Sequence, residues 1–271
     1  MPLISATSAC IRCGLCVRAC PYGVLGTDDT GTPVALSENC IRCGHCTAVC
    51  PKGALDHTLT PLSSQMPVNQ ALLPDADHVE HLLLTRRSIR RYRPDPVPEE
   101  TLTRLLAAAR YAPTGSNMQG CMFHVISHKE TLRKLSALTL EWAEGEISKQ
   151  TPFSTVLSPI MKSYSTTGDD VVLREAPCLV LSLLPQSMLS FAFENCRFPL
   201  VYIQLFAPSL GLGSCWAGIL EQCIRSGYPR VMELLELPQG MSVSGAMMLG
   251  FPSYGHFRIP CRNPLCITWQ R

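Results

Sequence analysis

The sequence lacks the features of an exported, membrane-spanning or nucleic-acid-binding chain. Its first residues, Met-Pro-Leu-Ile-Ser-Ala-Thr-Ser, contain no basic start followed by an apolar core, so no export signal is indicated. The formal net charge is only +2, and basic residues gather locally around positions 86–93, so no nucleic-acid partner is expected. A G-x-G-x-x-G motif is also missing, because Trp216 stands where a third glycine would follow Gly211 and Gly213. A separate dinucleotide-binding unit is therefore not supported.

One long apolar run could be mistaken for a membrane-spanning helix. The stretch 198–220 contains no charged residue and is long enough to cross a bilayer. Pro208, Gly211 and Gly213 interrupt it where a spanning helix would continue. We therefore expect a buried helix that ends near Gly211, followed by an interior strand, and no membrane insertion.

Cysteine is abundant, and eight of the 15 cysteines stand in two copies of one motif, C-x2-C-x2-C-x3-C-P. The copies are Cys10-Ile-Arg-Cys13-Gly-Leu-Cys16-Val-Arg-Ala-Cys20-Pro21 and Cys40-Ile-Arg-Cys43-Gly-His-Cys46-Thr-Ala-Val-Cys50-Pro51. This pattern resembles the bacterial ferredoxins that carry two 4Fe-4S clusters. In such proteins the fourth cysteine of each run ligates the other cluster. One predicted ligand set is therefore Cys10, Cys13, Cys16 and Cys50, and the other is Cys40, Cys43, Cys46 and Cys20.

The repeat extends beyond the ligands, since Gly23 and Leu25 are matched by Gly53 and Leu55, which indicates an internal duplication. Zinc is the alternative metal, but a zinc site needs four ligands in two pairs and would leave the other cysteines unused. A disulfide scaffold is disfavoured because the remaining chain is not loop-dense. Clusters of low reduction potential need the reducing environment of the cell interior, so we expect a cytoplasmic protein. The other seven cysteines, which include Cys121, Cys178, Cys215 and Cys223, mostly have apolar neighbours in the sequence, so their default interpretation is as small buried apolar residues.

The chain is too long for a ferredoxin alone, because 271 residues leave about two hundred for a second core. A polar, proline-punctuated run begins at Asp56 and suits a connector. We expect two domains, 1–65 and 66–271.

Hydrophobic periodicity predicts alternating helices and strands in the second domain. A helix starts near Asp77, and another starts at Pro98 with Leu102, Leu105 and Ala109 on its inner face. The remaining predictions are strands at 121–127, 178–184, 214–219 and 243–250 and a buried helix at 192–209. These elements predict an α+β, three-layer domain.

Four segments of this domain resemble the nitroreductase family of FMN enzymes. They are Arg86-Arg87-Ser88-Ile89-Arg90, Ala112-Pro113-Thr114-Gly115-Ser116-Asn117-Met118-Gln119, Gly211-Leu-Gly213-Ser-Cys-Trp216-Ala-Gly218 and Arg258-Ile-Pro-Cys-Arg262. The resemblance covers about residues 78–271. It implies a nitroreductase-like three-layer α/β/α fold, joined here to a small N-terminal ferredoxin-like domain with two 4Fe-4S clusters.

The resemblance also implies an FMN site. Guanidinium groups bind phosphate oxygens in two-pronged fashion. Around the phosphate the implied residues are Arg86, Arg87, Ser88, Arg90, Arg258 and Arg262. The family loop that reaches the flavin of the neighbouring subunit corresponds to Thr114, Ser116, Asn117 and Gln119. Close to the ring edge the family places the backbone of Gly218, Ile219 and Leu220. Well-known family members carry a glutamate near Leu220, which puts the local electrostatics here in doubt.

Alternatives to these roles remain open. The arginine cluster also suits a helix C-terminus, and the polar loop also suits a turn. His45 is interpreted as a solvated loop residue inside the second cysteine run, and Trp216 as a buried aromatic or a flavin neighbour.

The implied activity is that of a flavin oxidoreductase. The two clusters would relay electrons to FMN, and an electrophilic organic substrate such as a nitro compound or quinone would be reduced. No catalytic side chain is expected, because the flavin supplies the bond chemistry. The implied partners are a second copy of the chain and an external donor, either a ferredoxin-like protein or NAD(P)H. The alternatives are an electron-transfer or redox-sensing protein, or a specialised reductive enzyme such as a dehalogenase or ene reductase.

Overall fold

The computed structural model describes residues 2–271, except for the side chain of Phe191. Met1, the first residue of the expected domain 1–65, lies outside them. The chain divides into two compact units. Unit 1 runs to Pro74 and includes Gly115–Met118, and unit 2 comprises Asp75–Thr114 and Gln119–Arg271. The units therefore separate after Pro74, while the expected boundary near residue 65 remains a prediction of domain organisation.

Unit 1 repeats a short strand–helix–strand pattern. Its elements are β1 (Ile4–Ala6), α1 (Leu15–Arg18), β2 (Leu25–Thr27), β3 (Pro33–Ala35), α2 (His45–Ala48) and β4 (Leu55–His57). The strands form two antiparallel pairs, β1 with β4 and β2 with β3. The small core contains Ile4, Val24, Leu25 and Leu55, and most of the paired-motif cysteines pack against it. This unit therefore encloses its cysteines between short elements that supply few apolar residues of their own.

Unit 2 is built around one antiparallel sheet. Its helices are α3 (Ala76–Thr85), α4 (Glu99–Ala109), α5 (Lys129–Ser148), α6 (Ser154–Thr167), α7 (Leu189–Ala192), α8 (Phe198–Phe206), α9 (Gly218–Arg225) and α10 (Pro229–Leu235). Its strands are β5 (Met122–Ile126), β6 (Cys178–Pro185), β7 (Gly213–Trp216) and β8 (Met241–Gly250), in the order β5-β6-β8-β7.

The sheet separates two apolar cores. Along β6, Val180 faces the core that α4 and α8 cover, whereas Leu179 and Leu181 face the core formed with α5, α6, α9 and α10. This alternation is the period of a strand buried on both faces. The three-layer α/β/α arrangement expected from the sequence is confirmed.

The predicted helix at 192–209 is wrong in its extent. A 3₁₀ turn occupies Phe193–Cys196, and α8 starts only at Phe198. Pro199 lies in the first turn of α8, where a missing N–H is tolerated but from which a preceding α-helix cannot continue unbroken. The helical run ends at Gly211 as expected, with that glycine in the left-handed region. Within residues 2–271, no helix combines the length and apolar character that would span a bilayer.

The predicted strand at 214–219 is also too long. β7 ends at Trp216, and Gly218 already belongs to α9. The reason is periodicity, because Leu220, Cys223 and Ile224 are spaced for one buried helix face and all three are buried. The residues from Gly218 to Leu220 therefore form the first turn of a helix.

Candidate functional site

The first cysteine cavity lies in unit 1. It encloses about 430 Å³, open solvent at its mouth included. Cys10, Cys13 and Cys16 line it together with Cys50 from the second motif. These are the four residues of the first predicted ligand set. Four thiol groups around one apolar cavity are the kind of donor set that a cubane cluster takes.

The second cavity, of about 380 Å³ on the same measure, shows the reciprocal pattern. Cys40, Cys43 and Cys46 line it together with Cys20 from the first motif. Each motif therefore contributes three cysteines to one cavity and its fourth cysteine to the other. Within residues 2–271, no group of three or more His, Cys, Asp or Glu side chains is arranged to hold a single metal ion.

The two cysteine loops have the same backbone conformation. Arg12 and Arg42 have φ angles of 56° and 55°, and the glycines that follow, Gly14 and Gly44, have φ angles of 69° and 70°. Non-glycine residues rarely adopt this left-handed region. Its presence at matching places means that the duplication preserves the turn that wraps each loop around its cavity.

Burial and backbone amides shape the thiol acidities differently. Burial raises the pKa of Cys46 to about 11 and also raises the pKa of Cys16. Burial acts in the same direction on Cys50, but hydrogen bonds from backbone N–H groups, that of Ala54 foremost, outweigh it and lower the pKa. The Ala54 N–H donates to Cys50 Sγ at 3.3 Å, and the Val24 N–H donates to Cys20 Sγ at the same distance. Such amides stabilise the thiolate that a cluster requires.

His57 is a site residue that the sequence reasoning missed. It lies at the end of β4, is 3% exposed, and lines the second cavity. Its Nε2 is 3.4 Å from Cys40 Sγ. Burial lowers its pKa, and the neighbouring Asp56 carboxylate opposes that effect. The available signal was a break in the duplication, because the position of the first motif that matches His57 holds Thr27. His45 lines the same cavity but is exposed.

The arginine cluster of unit 2 lies beside β7. After α3 ends, Ser88 forms a parallel bridge with Ser214, and the Ile89 N–H donates to the Ser214 carbonyl at 2.9 Å. The approach is close, since a Cβ on Gly213 would fall 2.4 Å from an Ile89 side-chain carbon. The pairing fixes the backbone from which Arg86, Arg87 and Arg90 extend.

Two electrostatic features make this cluster a candidate anion site. Arg87 Nε is buried and has no hydrogen-bond partner among the described residues. Burial raises the pKa of the Cys215 thiol, while the positive charges of Arg90, Arg174 and Arg86 and a hydrogen bond from Ser88 oppose that rise. Arg174 therefore lies close enough to act with the predicted arginines. It was missed because it is remote in sequence and belongs to no matched segment.

The start of α9 follows directly after β7. Gly218 is exposed at this start, and the side chain of Leu220 is fully buried in the core. A substituent at position 220 therefore faces the core, and only backbone groups of this turn can serve a ligand. The adjacent Glu221 is buried too, where its carboxylate accepts hydrogen bonds from the Ala246 N–H at 2.8 Å and from Arg197 Nη1 at 3.0 Å.

The polar loop at 114–119 is divided between the units. In unit 1, the Ser116 hydroxyl is 2.8 Å from the Tyr22 hydroxyl, and Asn117 Nδ2 donates to the carbonyls of Ile41 and Arg42 at 2.9 Å. Tyr22 and Ile41 line the second cavity. In unit 2, the Gln119 N–H donates to Thr114 Oγ1 at 3.2 Å. The structure therefore brings Ser116 and Asn117 to the rim of the second cysteine cavity.

Arg258 and Arg262 lie in an exposed C-terminal segment without regular secondary structure. Neither side chain makes a hydrogen bond or ion pair to another described residue of this chain. Their role at the phosphate stays a prediction.

Comparisons with known proteins match both parts of the chain. A family model described as "Nitroreductase family" matches residues 83–251, and one described as "4Fe-4S dicluster domain" matches residues 9–55. An NADH dehydrogenase of Thermus thermophilus is 29% identical over 216 residues, which cover 74% of this chain and 100% of the relative. Nitroreductase NfnB of Mycolicibacterium smegmatis is 36% identical over 78 residues, 29% of this chain and 33% of the relative.

Solved structures share the fold of this chain. A nitroreductase with bound FMN from Desulfitobacterium hafniense superposes with a TM-score of 0.59 at 21% identity, over 73% of this chain and 100% of the other. A BluB-like flavoprotein from Clostridium difficile gives a TM-score of 0.57 at 18% identity, over 71% and 99%. Because the family match at 83–251 spans more than half of the sequence, the protein belongs to the nitroreductase family and carries a 4Fe-4S dicluster domain in its N-terminal part.

Proposed function

We propose that the protein is an FMN-dependent oxidoreductase in which electrons pass through two 4Fe-4S clusters to FMN and an electrophilic organic substrate, such as a nitro compound or quinone, is reduced. The observation that carries the proposal is the crossed arrangement of eight cysteines around two cavities in a nitroreductase-family chain. When bound, the clusters supply single-electron transfer and the flavin supplies one- or two-electron chemistry.

The residues of unit 1 fit two clusters. Each cavity has four cysteines, one of them from the other motif, as two-cluster ligation requires. Backbone N–H groups of Val24 and Ala54 point at the sulfurs of the two crossing cysteines, Cys20 and Cys50. These donors favour bound thiolates and hold their orientation.

The residues of unit 2 fit FMN. A phosphate dianion needs several cationic donors. A buried guanidinium N–H without a hydrogen-bond partner destabilises the fold unless a ligand supplies the acceptor. Arg87 Nε is such a nitrogen. Burial raises the pKa of the Cys215 thiol of β7, and Arg86, Arg90, Arg174 and Ser88 all lie close enough to that thiol to oppose the rise. The first turn of α9 supplies backbone N–H donors, and its exposed first residue, Gly218, has no side chain that would block a planar ring. The D. hafniense relative is described with bound FMN.

We place a homodimer in the same proposal, with FMN at its interface. The C-terminal segment exposes Phe257, Leu265 and Trp269, each by three quarters or more. Apolar exposure of this extent in one segment is typical of a surface that another chain covers. Arg258 and Arg262 belong to this segment, so a dimer would let them serve the phosphate. Thr114, Ser116, Asn117, Gln119 and Leu220 keep their proposed places around the flavin on the family resemblance alone.

The electron donor is a ferredoxin-like protein or NAD(P)H. The matched T. thermophilus relative is named NADH dehydrogenase, which supports the nicotinamide as one candidate. A reducing compartment such as the cytoplasm suits the iron–sulfur centres.

An anaerobic titration tests the proposal. Protein purified without oxygen is assayed for iron, acid-labile sulfide and FMN, then titrated with dithionite while cluster and flavin absorbance are followed, and finally mixed with nitroaromatic and quinone oxidants. We expect two clusters and one FMN per chain, flavin reduction through the clusters, and reoxidation by a small molecule. Flavin that stays oxidised while both clusters are reduced overturns the relay. If the reduced flavin is reoxidised only by a second protein and by no small molecule, the protein is an electron-transfer protein and the enzyme proposal is wrong.

A further inference from the structure

One of the matched positions at which the two cysteine cavities differ lies directly beside a predicted ligand. The duplication places Thr27 at the end of β2 in the first repeat and His57 at the end of β4 in the second. Both line the cavity of their own repeat. Thr27 is exposed and makes no hydrogen bond to Cys10 Sγ within residues 2–271, whereas His57 is buried beside Cys40 Sγ.

The backbone fixes which nitrogen of His57 carries its proton. The Leu59 N–H donates to His57 Nδ1 at 3.0 Å, and a backbone amide can only donate. Nδ1 is therefore the acceptor of a neutral ring, and the hydrogen lies on Nε2. Since Nε2 is 3.4 Å from Cys40 Sγ, the ring donates an N–H···S hydrogen bond to a predicted cluster ligand.

Hydrogen bonds to sulfur differ at one pair of matched ligands, Cys10 and Cys40. The bonds from Val24 to Cys20 and from Ala54 to Cys50 match each other across the duplication. Cys40 receives two further donors, His57 Nε2 and the Arg42 N–H at 3.4 Å. Of the matched cysteines Cys10 and Cys40, only Cys40 accepts a hydrogen bond at its Sγ among the described residues.

We propose that His57, through its Nε2–H···Sγ hydrogen bond to Cys40, is a positioning residue that raises the reduction potential of the cluster in the second cavity above that of the first. Reduction adds one electron to the cluster and its sulfurs, and N–H donors at those sulfurs stabilise the added charge. The His57 proton stays on Nε2 throughout. Burial strengthens the interaction because little water screens it. With both clusters bound, the first electron would therefore reside in the cavity that Tyr22 and Ile41 also line. This inference rests on the proposed function, since it requires a cluster in each cavity.

The test is a potentiometric titration of the full chain with dithionite, followed by EPR of the reduced clusters. The wild type should show two separate one-electron waves. In His57→Leu the midpoint potential of the upper wave should fall by about 59 mV, which corresponds to a tenfold change in the equilibrium constant of a one-electron reduction. Thr27→Leu makes the same substitution at the matched position, and His45→Ala removes the other histidine of the same cavity. Both controls should leave the upper wave in place.

Iron and sulfide assays keep the outcomes apart. A wild type that binds only one cluster or none refutes the proposed function, whereas an unmoved upper wave in a fully loaded His57→Leu overturns this inference alone. If His57→Leu loses a cluster, the test is made on the wild-type protein labelled with ¹⁵N-histidine. Pulsed EPR of the cluster that is reduced first should then show a coupling to a histidine nitrogen and a coupling to an exchangeable proton. Both couplings should persist in His45→Ala, and their absence overturns the inference.

Discussion

At the scale of single residues, Glu221 shows how unit 2 keeps its sheet fixed beside the candidate flavin site. Its buried carboxylate joins the Ala246 N–H of β8 to Arg197, whose guanidinium also lies over the Trp216 ring at 4.4 Å. We expect Glu221→Ala to destabilise unit 2 by about 3 kcal/mol, because it leaves a half-buried guanidinium without its carboxylate and a buried amide without an acceptor. Urea unfolding followed by tryptophan fluorescence measures this, since Trp142, Trp216 and Trp269 all lie in unit 2.

Arg225 offers the matched control for that variant. It also pairs with Glu221, at 3.6 Å, but its side chain is 44% exposed. Water screens such a pair, so Arg225→Ala should cost less than about 1 kcal/mol. Equal losses in the two variants would mean that burial does not set the strength of this network.

The cysteine assignments predict a second set of residue-scale results. Cys43→Ala should remove half of the iron and acid-labile sulfide and leave FMN bound, because Cys43 lines only the second cavity and the arginine cluster belongs to unit 2. Cys13→Ala should remove the other half. Cys261→Ser, at an exposed cysteine of unit 2, should keep all of it. Metal and flavin analysis of the three purified variants is the measurement, and loss of flavin alone in Cys43→Ala would contradict the assignment.

At the scale of elements, regular patterns were predictable and interruptions were not. The helix at Glu99–Ala109 is confirmed, with Leu102, Leu105 and Ala109 buried, because one apolar stripe at helical spacing decides it. The run at 192–209 and the strand at 214–219 were extended too far, because a uniformly apolar segment shows no period that marks its breaks. The helix boundary depends on Pro199 and the strand boundary on the backbone at Ala217. Such local features cannot be predicted from the apolar character of a segment.

The candidate site divides in the same way. Spacing within a motif predicted three of the cysteines that line each cavity, and the ferredoxin resemblance implied the fourth, which comes from the other motif. His57 and Arg174 reach their sites through strand pairing and a distant turn. Such residues become visible only when the fold brings separate segments together.

The close contact between β7 and the arginine segment yields an element-scale prediction. Gly213→Ala should destabilise unit 2 by about 2 kcal/mol, because its Cβ meets Ile89 at overlapping distance and overpacking forces the strand apart. We also expect lower FMN retention, since Ser88 and its arginines would shift with Ile89. Gly145→Ala, in open space within α5, should instead stabilise by about 1 kcal/mol and keep the flavin. Urea unfolding and flavin content per chain compare the two, and normal flavin content in Gly213→Ala would separate β7 from the FMN site.

At the scale of the whole molecule, the apolar surface of unit 2 is distributed unevenly. The helix α3 has no buried residue, and Leu83 and Leu84 on it are about half exposed. The C-terminal segment adds Phe257 at 97% and Leu265 at 84% exposure. An isolated chain would leave all of these side chains in water, at a cost of about 25 cal/mol for each Å² of apolar surface that a partner would otherwise cover. A second copy that covers the terminal segment would recover part of that free energy.

The oligomeric state is therefore a test of the complete proposal. Sedimentation equilibrium should give about twice the 29.7 kDa chain mass. Phe257→Ser, Leu265→Ser and Trp269→Ser combined should shift the protein toward monomer and lower its FMN content, because the interface and Arg262 would be lost together. Val156→Ser with Tyr164→Ser, which removes exposed apolar side chains from α6, should change neither. A wild-type monomer with full FMN occupancy would contradict the dimer, because it would show that each flavin site is complete within one chain.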